Sequence, residues 1–288
     1  MAAVKRLARI FVPRKVRNWL RSPSDSMRWA WAQARYFAGG RDIVQIRPGW
    51  SLVCHPAAHR FAYFAQNNDQ DQIAEFDSFL REITPDAVLI DIGAHFGLFS
   101  LAVLHYGGSK AMSIAVDPSP MAARFIKTQA ELNQVSDRLH TIEAAISDQV
   151  GWQPMVSVGI LSSGYYVRPS RDHTPGELTS TPTTTLDQLV EEFDLRPTHI
   201  KIDVEGDELA VINGGCKILS QDHAPLLFVE LHNEMVRQHG GHPQETLSRL
   251  RSLGYRTFAT NGDALNDQAI LDCPLIRIVA RKVPALAE

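Results

Sequence analysis

The spacing of apolar residues changes along the chain, and the change predicts its elements. Between about 70 and 83, Ile73, Phe76 and Phe79 recur at helical spacing, which predicts an amphipathic helix. From residue 87 onwards, short apolar runs alternate with helical patterns, which is typical of strands joined by helices. The runs predicted as strands are 87–90, 112–116, 139–145, 199–204, 226–231, 255–259 and 275–281.

This alternation predicts the fold class. Strands separated by helices imply right-handed crossovers and a parallel sheet covered on both faces. The last two runs have no predicted helix between them, so a closing hairpin would add one antiparallel strand. The sequence therefore predicts an α/β, Rossmann-like fold with a mostly parallel sheet and a C-terminal antiparallel hairpin.

One long segment breaks the alternation. Residues 151–182 are rich in Gly, Ser, Thr and Pro, and we predict that they are irregular. The segment contains Tyr165 and Tyr166, so it is a candidate for an acceptor pocket or its lid. A surface insertion is the alternative.

Charge sets the N-terminal part of the chain apart. Residues 1–47 hold eleven basic residues and two acidic ones, although the formal net charge of the chain is −3. Residues 1–23 combine basic and apolar positions, so peripheral contact with an anionic membrane is one hypothesis and a solvated arm is the other. We expect no nucleic-acid partner. A helix and a β-hairpin are predicted next, which gives an N-terminal unit at 1–55 and an α/β domain at 56–288.

Composition indicates a compartment. No run of about 18 apolar residues occurs, so no transmembrane helix is expected. Cys54, Cys216 and Cys273 form no C-x-x-C motif, which favours free thiols in a reducing compartment. The N-terminus lacks the apolar region of a signal peptide. We therefore expect a cytoplasmic protein, whose basic arm is its candidate contact with the inner face of a membrane.

A glycine loop follows the first strand of the alternating region. Because ligands bind beyond the carboxyl ends of parallel strands, Asp91, Gly93 and Gly97 are candidate site residues. Gly93 permits a tight turn, and Gly97 is expected to let the next helix pack close to the strand. The loop lacks the third glycine of the dinucleotide fingerprint, and the Asp91 carboxylate would repel a pyrophosphate. These features favour a cationic nucleoside over a nicotinamide dinucleotide.

Asp117 ends the second strand of that region. It follows Gly93 by 24 residues, close to the spacing of about 20 at which an acidic residue binds the ribose hydroxyls of a nucleotide. A helix cap or a turn residue is the alternative for each of Asp91 and Asp117. The two acids after successive strands together favour a ligand site.

The ends of the next two strands carry further polar residues. At the end of the fourth strand Lys201, Asp203 and Glu205 alternate with apolar residues, although buried parallel strands seldom carry charges. These charges lie at the same sheet edge as the glycine loop, and for the two acids a favourable interaction with the dipole of the next helix is the alternative. His232 follows the fifth strand, where helix capping is as well supported as catalysis. Neither His239 nor His242 stands at the spacing of a helix-borne ligand pair with His232, so no metal site is predicted.

Taken together, three segments resemble the FkbM family of class I methyltransferases. They are 88–97 (VLIDIGAHFG), 142–148 (IEAAISD) and 185–209 with its IKIDVEGDEL stretch, followed by VELH at 229–232. The resemblance implies the seven-stranded methyltransferase sheet and S-adenosylmethionine as the cofactor. His95 stands where the family commonly has Asn, and Asp117 stands where Glu is usual.

The resemblance also implies residue roles. The glycine loop would surround the methionine end of the cofactor, Asp117 would hold the ribose, and residue 145 would border the adenine. The residues implied as cofactor-binding are Asp91, Gly93, Ala94, His95, Gly97, Asp117 and Ala145.

The family's usual activity supplies a mechanistic hypothesis. Its members are usually O-methyltransferases of sugars, glycolipids or secondary metabolites, so a small-molecule or glycan acceptor is expected. We hypothesise that Asp203 deprotonates or orients the acceptor hydroxyl with support from Glu205, and that His232 is a second candidate base. The alternatives are a methyltransferase-like binding or membrane-associated module without catalysis and a nicotinamide-dependent oxidoreductase. The sequence does not indicate an oligomeric state.

Overall fold

A computed structural model describes residues 23–59, 62, 70–157, 166–167 and 177–282 of the chain. The hypothesis of membrane contact through residues 1–23 falls on a segment that lies, except for Pro23, outside these residues. Within the described residues, no helix is both long enough and apolar enough to cross a bilayer.

A seven-stranded sheet forms the centre of the protein. In spatial order its strands are β12 (Tyr255–Phe258), β13 (Ile276–Lys282), β11 (Leu226–Leu231), β10 (His199–Ile202), β3 (Val88–Ile92), β4 (Met112–Val116) and β5 (Leu139–Ile142). All neighbouring pairs are parallel except those of β13, which is antiparallel to β11 and β12. The predicted Rossmann-like fold, mostly parallel with an antiparallel strand near its C-terminal end, is confirmed. Since β4 and β10 flank β3 on opposite sides, the strand order reverses at β3.

Apolar residues on the two faces of the sheet form two cores. Successive strand residues point to opposite faces, so Leu89 belongs to one core and Ile90 to the other. The first core packs against α1 (Pro23–Phe37), α2 (Gln70–Glu82), α3 (Leu98–Tyr106) and α4 (Pro120–Leu132). The helices of the opposite face are α5 (Leu186–Glu192), α6 (Glu208–Gly214), α7 (Cys216–Ser220), α8 (Asn233–Gln238), α9 (Pro243–Ser252) and α10 (Asp267–Asp272).

The predicted N-terminal hairpin is present as β1 (Asp42–Arg47) and β2 (Trp50–Cys54), paired antiparallel. Val44, Ile46, Trp50 and Leu52 are buried in the first core, whereas Ile43 on the other face of the hairpin is exposed. Trp50 stacks on His105 of α3, with ring centroids 5.1 Å apart. The hairpin therefore shares its core with helices on the other side of the boundary drawn at residue 55.

The prediction that residues 151–182 are irregular is wrong for both ends of that segment. β7 (Gly151–Ser157) pairs with β9 (Glu177–Thr184) in a second sheet, together with β6 (Ala145–Ile146) and β8 (Tyr166–Val167). The inward residues of β9 include Thr181 and Thr183, which are buried but not apolar. The alternation is therefore invisible to hydrophobicity, although Thr itself favours strands. Tyr165 lies outside the described residues.

One strand boundary and one helix also differ from the prediction. The strand expected at 139–145 leaves the central sheet after Ile142, and its last predicted residue, Ala145, belongs to the second sheet. A helix, α10, lies between β12 and β13, where no helix was predicted. Asn266 caps α10 by accepting a hydrogen bond from the Ala269 N–H at 2.8 Å. A helix of six residues is too short to show a clear apolar period, but its Asn cap was a usable signal.

Four buried charges cross the first core beside the sheet. Lys201 of β10 lies 2.9 Å from Glu75 of α2, and both side chains are at most 2% exposed. Arg277 of β13 donates a hydrogen bond of 2.8 Å to Glu230 of β11. Burial alone would lower the pKa of Lys201, but the Glu75, Asp203 and Glu230 carboxylates raise it above its usual value. The ammonium therefore stays charged and fixes α2 to the sheet.

Because these charges are buried in pairs, we expect the stability of the fold to depend strongly on both members of each pair. Replacing Lys201 by Met should lower the free energy of unfolding by about 3–5 kcal/mol, because it leaves a carboxylate buried without its main cation. The double variant Lys201→Met with Glu75→Met should recover most of that loss, since the Arg277–Glu230 pair stays intact. Urea unfolding of the three proteins measures both changes. A single variant as stable as the wild type would contradict the prediction.

Candidate active site

A cleft of about 270 Å³ opens at the carboxyl ends of β3, β4 and β10, where the strand order reverses. This is the location that the fold class predicts for a ligand. Its lining combines apolar residues with an unusual density of acidic ones. The acidic lining residues are Asp117, Asp203, Glu205, Asp207 and Glu230.

The glycine loop forms one wall of the cleft and is held in an unusual conformation. Gly93, His95 and Gly97 all have positive φ angles, of 79°, 52° and 83°. The Gly93 and Ala94 N–H groups donate to the Val116 carbonyl at 2.9 and 3.1 Å, which ties the loop to β4. His is among the residues that tolerate the left-handed region, so His95 suits this position.

The two glycines are required for different reasons. A Cβ atom at Gly93 would lie 1.8 Å from the carbonyl oxygen of Asp203, so only glycine fits between β3 and β10. A Cβ at Gly97 would meet Ile126 of α4 at an ordinary 3.4 Å. The prediction that Gly97 permits close packing of helix and strand is therefore wrong, because its positive φ angle is what favours glycine.

Asp91 lies behind the loop, with its side chain buried. Its Oδ2 accepts hydrogen bonds from the Ser100 hydroxyl at 2.7 Å and from the Ser100 N–H at 3.1 Å. Burial raises the pKa of Asp91 to about 6, and the Ser100 hydrogen bonds oppose that rise. Asp91, Ala94 and Gly97 are not among the described residues that line the cleft. Asp91 thus anchors α3 to β3 from behind the loop.

Asp117 lies at the cleft wall beside the glycine loop, as the sequence predicts. Its two carboxylate oxygens accept hydrogen bonds from the His95 and Ser119 N–H groups, each at 2.8 Å. Burial raises the pKa of Asp117 to about 7, although both hydrogen bonds favour the ionised form. The carboxylate is therefore held in one orientation at the edge of the cleft.

Asp203, Glu205 and His232 come together at the ends of β10 and β11. His232 Nε2 lies 3.3 Å from Glu205 Oε2 and 3.7 Å from Asp203 Oδ1, and its Nδ1 lies 2.8 Å from Glu208 Oε1. Glu205 has a φ angle of 55°, a left-handed conformation that is uncommon for this residue type. The three predicted catalytic side chains therefore form one cluster, of which Asp203 and Glu205 line the cleft.

Burial and charge shift the ionisation of this cluster. Burial raises the pKa of Glu205 to about 7, while the neighbouring imidazole opposes the rise. Burial alone would lower the pKa of His232, but the Glu208 hydrogen bond and the surrounding carboxylates raise it to about 9. A positive charge is therefore strongly favoured among these acids.

Several lining residues were not singled out by the sequence. Gln72 of α2 reaches the cleft, although it precedes the alternating region and no motif marks it. Met155 lies on β7, within the segment predicted to be irregular, and it adds an apolar surface beside Ala145. Gln72 reaches the cleft because of where α2 packs, and Met155 reaches it because β7 belongs to the second sheet. Neither placement is visible in the sequence.

Comparison with known proteins defines the class of this site. The Methyltransferase FkbM domain matches residues 91–257, which include the glycine loop, Asp117 and the Asp203–Glu205–His232 cluster. The match spans more than half of the chain, and the chain belongs to the FkbM methyltransferase family. No curated protein sequence matches the chain.

The chain is also similar, at low sequence identity, to several solved structures of other proteins. An S-adenosylmethionine-dependent O-methyltransferase from Thermotoga maritima is 12% identical, with 86% of this chain and 79% of that chain covered and a TM-score of 0.43. An O-methyltransferase from Bacillus cereus, in complex with S-adenosylhomocysteine, is 10% identical, with coverages of 77% and 84% and a TM-score of 0.40. An rRNA methylase described as putative, from Clostridium thermocellum, is 9% identical, with coverages of 75% and 97% and a TM-score of 0.46.

The close approach of Gly93 to the Asp203 carbonyl predicts that a methyl group added at residue 93 strongly destabilises the fold. Gly93→Ala should lower the free energy of unfolding by at least about 3 kcal/mol, because it adds a backbone clash to the strain of a positive φ angle. Gly49→Ala is the matched control, since Gly49 has a φ of 84° with no atom within 4 Å of the added Cβ. The control should cost only about 1–2 kcal/mol. Equal losses in thermal or urea unfolding would contradict the close approach.

Proposed function

We propose that the chain binds S-adenosylmethionine in this cleft and transfers its methyl group to a hydroxyl of a small-molecule or glycan acceptor. The observation that carries the proposal is the acidic cleft itself, which lies at the reversal of strand order in a member of a methyltransferase family. A cleft lined by five carboxylates suits a ligand with a sulfonium and an ammonium group. The same charges disfavour the pyrophosphate of a nicotinamide dinucleotide.

The residues around the cleft fit the parts of this cofactor. Asp117 offers carboxylate lone pairs to the ribose hydroxyls, and the backbone of Gly93 and His95 leaves space for the methionine end. Ala144, Ala145 and Met155 form an apolar wall that suits the adenine ring. Asp91 supports this site from behind by holding α3 and the loop in place.

Asp203 is the residue best placed to act on the acceptor. When bound, the cofactor supplies a sulfonium methyl group, which moves to the acceptor oxygen as the S–C bond breaks and a neutral thioether leaves. The side chain of Asp203 is 35% exposed and lines the cleft, so it can take the hydroxyl proton. His232 is only 5% exposed and is not among the described residues that line the cleft, so we assign it a supporting role.

Titration calorimetry tests the cofactor half of the proposal. The protein should bind S-adenosylhomocysteine and should not bind NAD. Asp117→Asn should weaken that binding about tenfold or more, because a neutral amide replaces a charge-assisted pair of hydrogen bonds to the ribose. Asp137→Asn, at an exposed carboxylate outside the cleft, is the matched control and should leave affinity unchanged. NAD binding without S-adenosylhomocysteine binding would refute the proposal in favour of an oxidoreductase.

Because the pKa of Asp117 is raised, we expect cofactor affinity to depend on pH. Ionised Asp117 accepts hydrogen bonds from the ribose, and its pKa of about 7 means that protonation begins near neutrality. Affinity for S-adenosylhomocysteine should therefore fall as pH drops below 7, by up to about tenfold per pH unit. The Asp117→Asn variant should lack that component of the pH profile. Parallel profiles for the two proteins would exclude Asp117 as its source.

Replacement of Asp203 tests the transfer half. Asp203→Asn should lower methyl transfer at least about 100-fold, the usual scale of a lost general base. Its affinity for S-adenosylhomocysteine should stay within a few fold of the wild type. The measurement is transfer of a labelled methyl group to a panel of sugars, glycolipids and hydroxylated metabolites. Undiminished turnover in the variant would remove Asp203 from the mechanism.

A further inference from the structure

Asp203, Glu205 and His232 have the geometry of a metal-ligand set. One ligand atom from each of the three residues lies within 4.8 Å of the ligand atoms of the other two. The Nε2–oxygen separations of 3.3 and 3.7 Å are close to those between ligands of one cation, about 3.0–3.5 Å for bonds near 2.1 Å. Little movement is needed for all three atoms to contact a common ion.

The tautomer of His232 is fixed by a residue outside this set. Glu208 Oε1 accepts a hydrogen bond from the Gly206 N–H at 3.0 Å and lies 2.8 Å from His232 Nδ1. The Glu208 side chain is 1% exposed, so the imidazole donates its Nδ1 proton to an anchored acceptor. A buried carboxylate behind a histidine is a common support for metal-ligating histidines, because it orients the ring and leaves the other nitrogen available.

His232 Nε2 then faces two carboxylate oxygens with its lone pair. The side chain is 5% exposed, and Nε2 lies 3.3 to 3.9 Å from oxygens of Glu205, Asp203 and Glu230. Three acceptor atoms directed at one another repel unless a cation lies between them. A second proton on the ring is one such cation, and a metal ion bound by all three atoms is the other.

We propose that Asp203 Oδ1, Glu205 Oε2 and His232 Nε2 bind a divalent metal ion of the Mn²⁺ type. Two carboxylates and one imidazole suit such an ion, and three protein ligands leave coordination positions open towards the cleft. The inference rests on the proposed function, because the ion would bind the acceptor hydroxyl and lower its pKa. The proton would pass to Asp203 Oδ2 as the new O–CH₃ bond forms.

Mn²⁺ itself is the probe. The full chain, freed of metal with a chelator, is titrated with Mn²⁺ by calorimetry and by electron paramagnetic resonance. We expect one saturable site, with affinity lowered at least about tenfold in Glu205→Gln and in His232→Gln. Asp207→Asn is the matched control, since Asp207 also lines the acidic cleft but does not belong to the cluster. It should bind Mn²⁺ as the wild type does.

The outcomes separate this inference from the proposed function. S-adenosylhomocysteine binding, measured without metal, should stay detectable in all three variants, and circular dichroism should show that they are folded. Absence of Mn²⁺ binding in a wild type that binds S-adenosylhomocysteine would overturn the metal site alone and leave the doubly protonated imidazole. Equal weakening in Asp207→Asn would mean that Mn²⁺ is attracted by the cleft's general charge, which also overturns the site. Failure to bind S-adenosylhomocysteine would count against the proposed function instead.

Discussion

The site depends on one close approach between two backbones. At the reversal of strand order, β3 and β10 are neighbours, and the Gly93 backbone lies directly against the Asp203 carbonyl. No side chain fits between them, so the glycine loop and the acidic cluster are held at a fixed separation. Because the loop also binds Val116 of β4 through two N–H groups, three strand ends are fixed together. The cleft is therefore part of the sheet and not a gap between movable parts.

Charges behind the sheet edge complement those in the cleft. Glu230 lines the cleft, but its carboxylate also accepts a hydrogen bond from Arg277, which lies on the antiparallel strand β13. Lys201 lies two residues before Asp203 and pairs with Glu75 of α2. The C-terminal strand and α2 thus bring buried cations to the rear of the site. This explains why a strand that ends in several acids can remain buried in the sheet.

The sequence predicted those parts of the fold that depend on the apolar or polar character of neighbouring residues in the chain. β3, β4, β10 and β11 are buried strands, so their apolar runs are visible in the sequence. The acids that follow such runs lie at one edge of the sheet, and the convergence of Asp117, Asp203 and Glu205 was therefore predictable. The second sheet was missed because Thr181 and Thr183 are buried polar residues. Asp91 was placed at the ligand because strand position does not reveal that Ser100 on α3 would bind its carboxylate. The support of His232 by Glu208 depends on a contact across 24 residues of sequence.

The number of carboxylates around the cleft decides whether it can hold both a divalent metal ion and a cationic cofactor. Of the five lining carboxylates, Glu230 is paired with Arg277, and Asp203 and Glu205 belong to the proposed metal site. A divalent ion bound by Asp203 and Glu205 would neutralise those two and would remove their repulsion. Asp117, on the other side of Gly93, would then remain for a ligand bearing a sulfonium and an ammonium group. Because Asp203 and Glu205 would compensate the charge of the ion and Asp117 that of the cofactor, the cleft could hold both cations without an excess of positive charge.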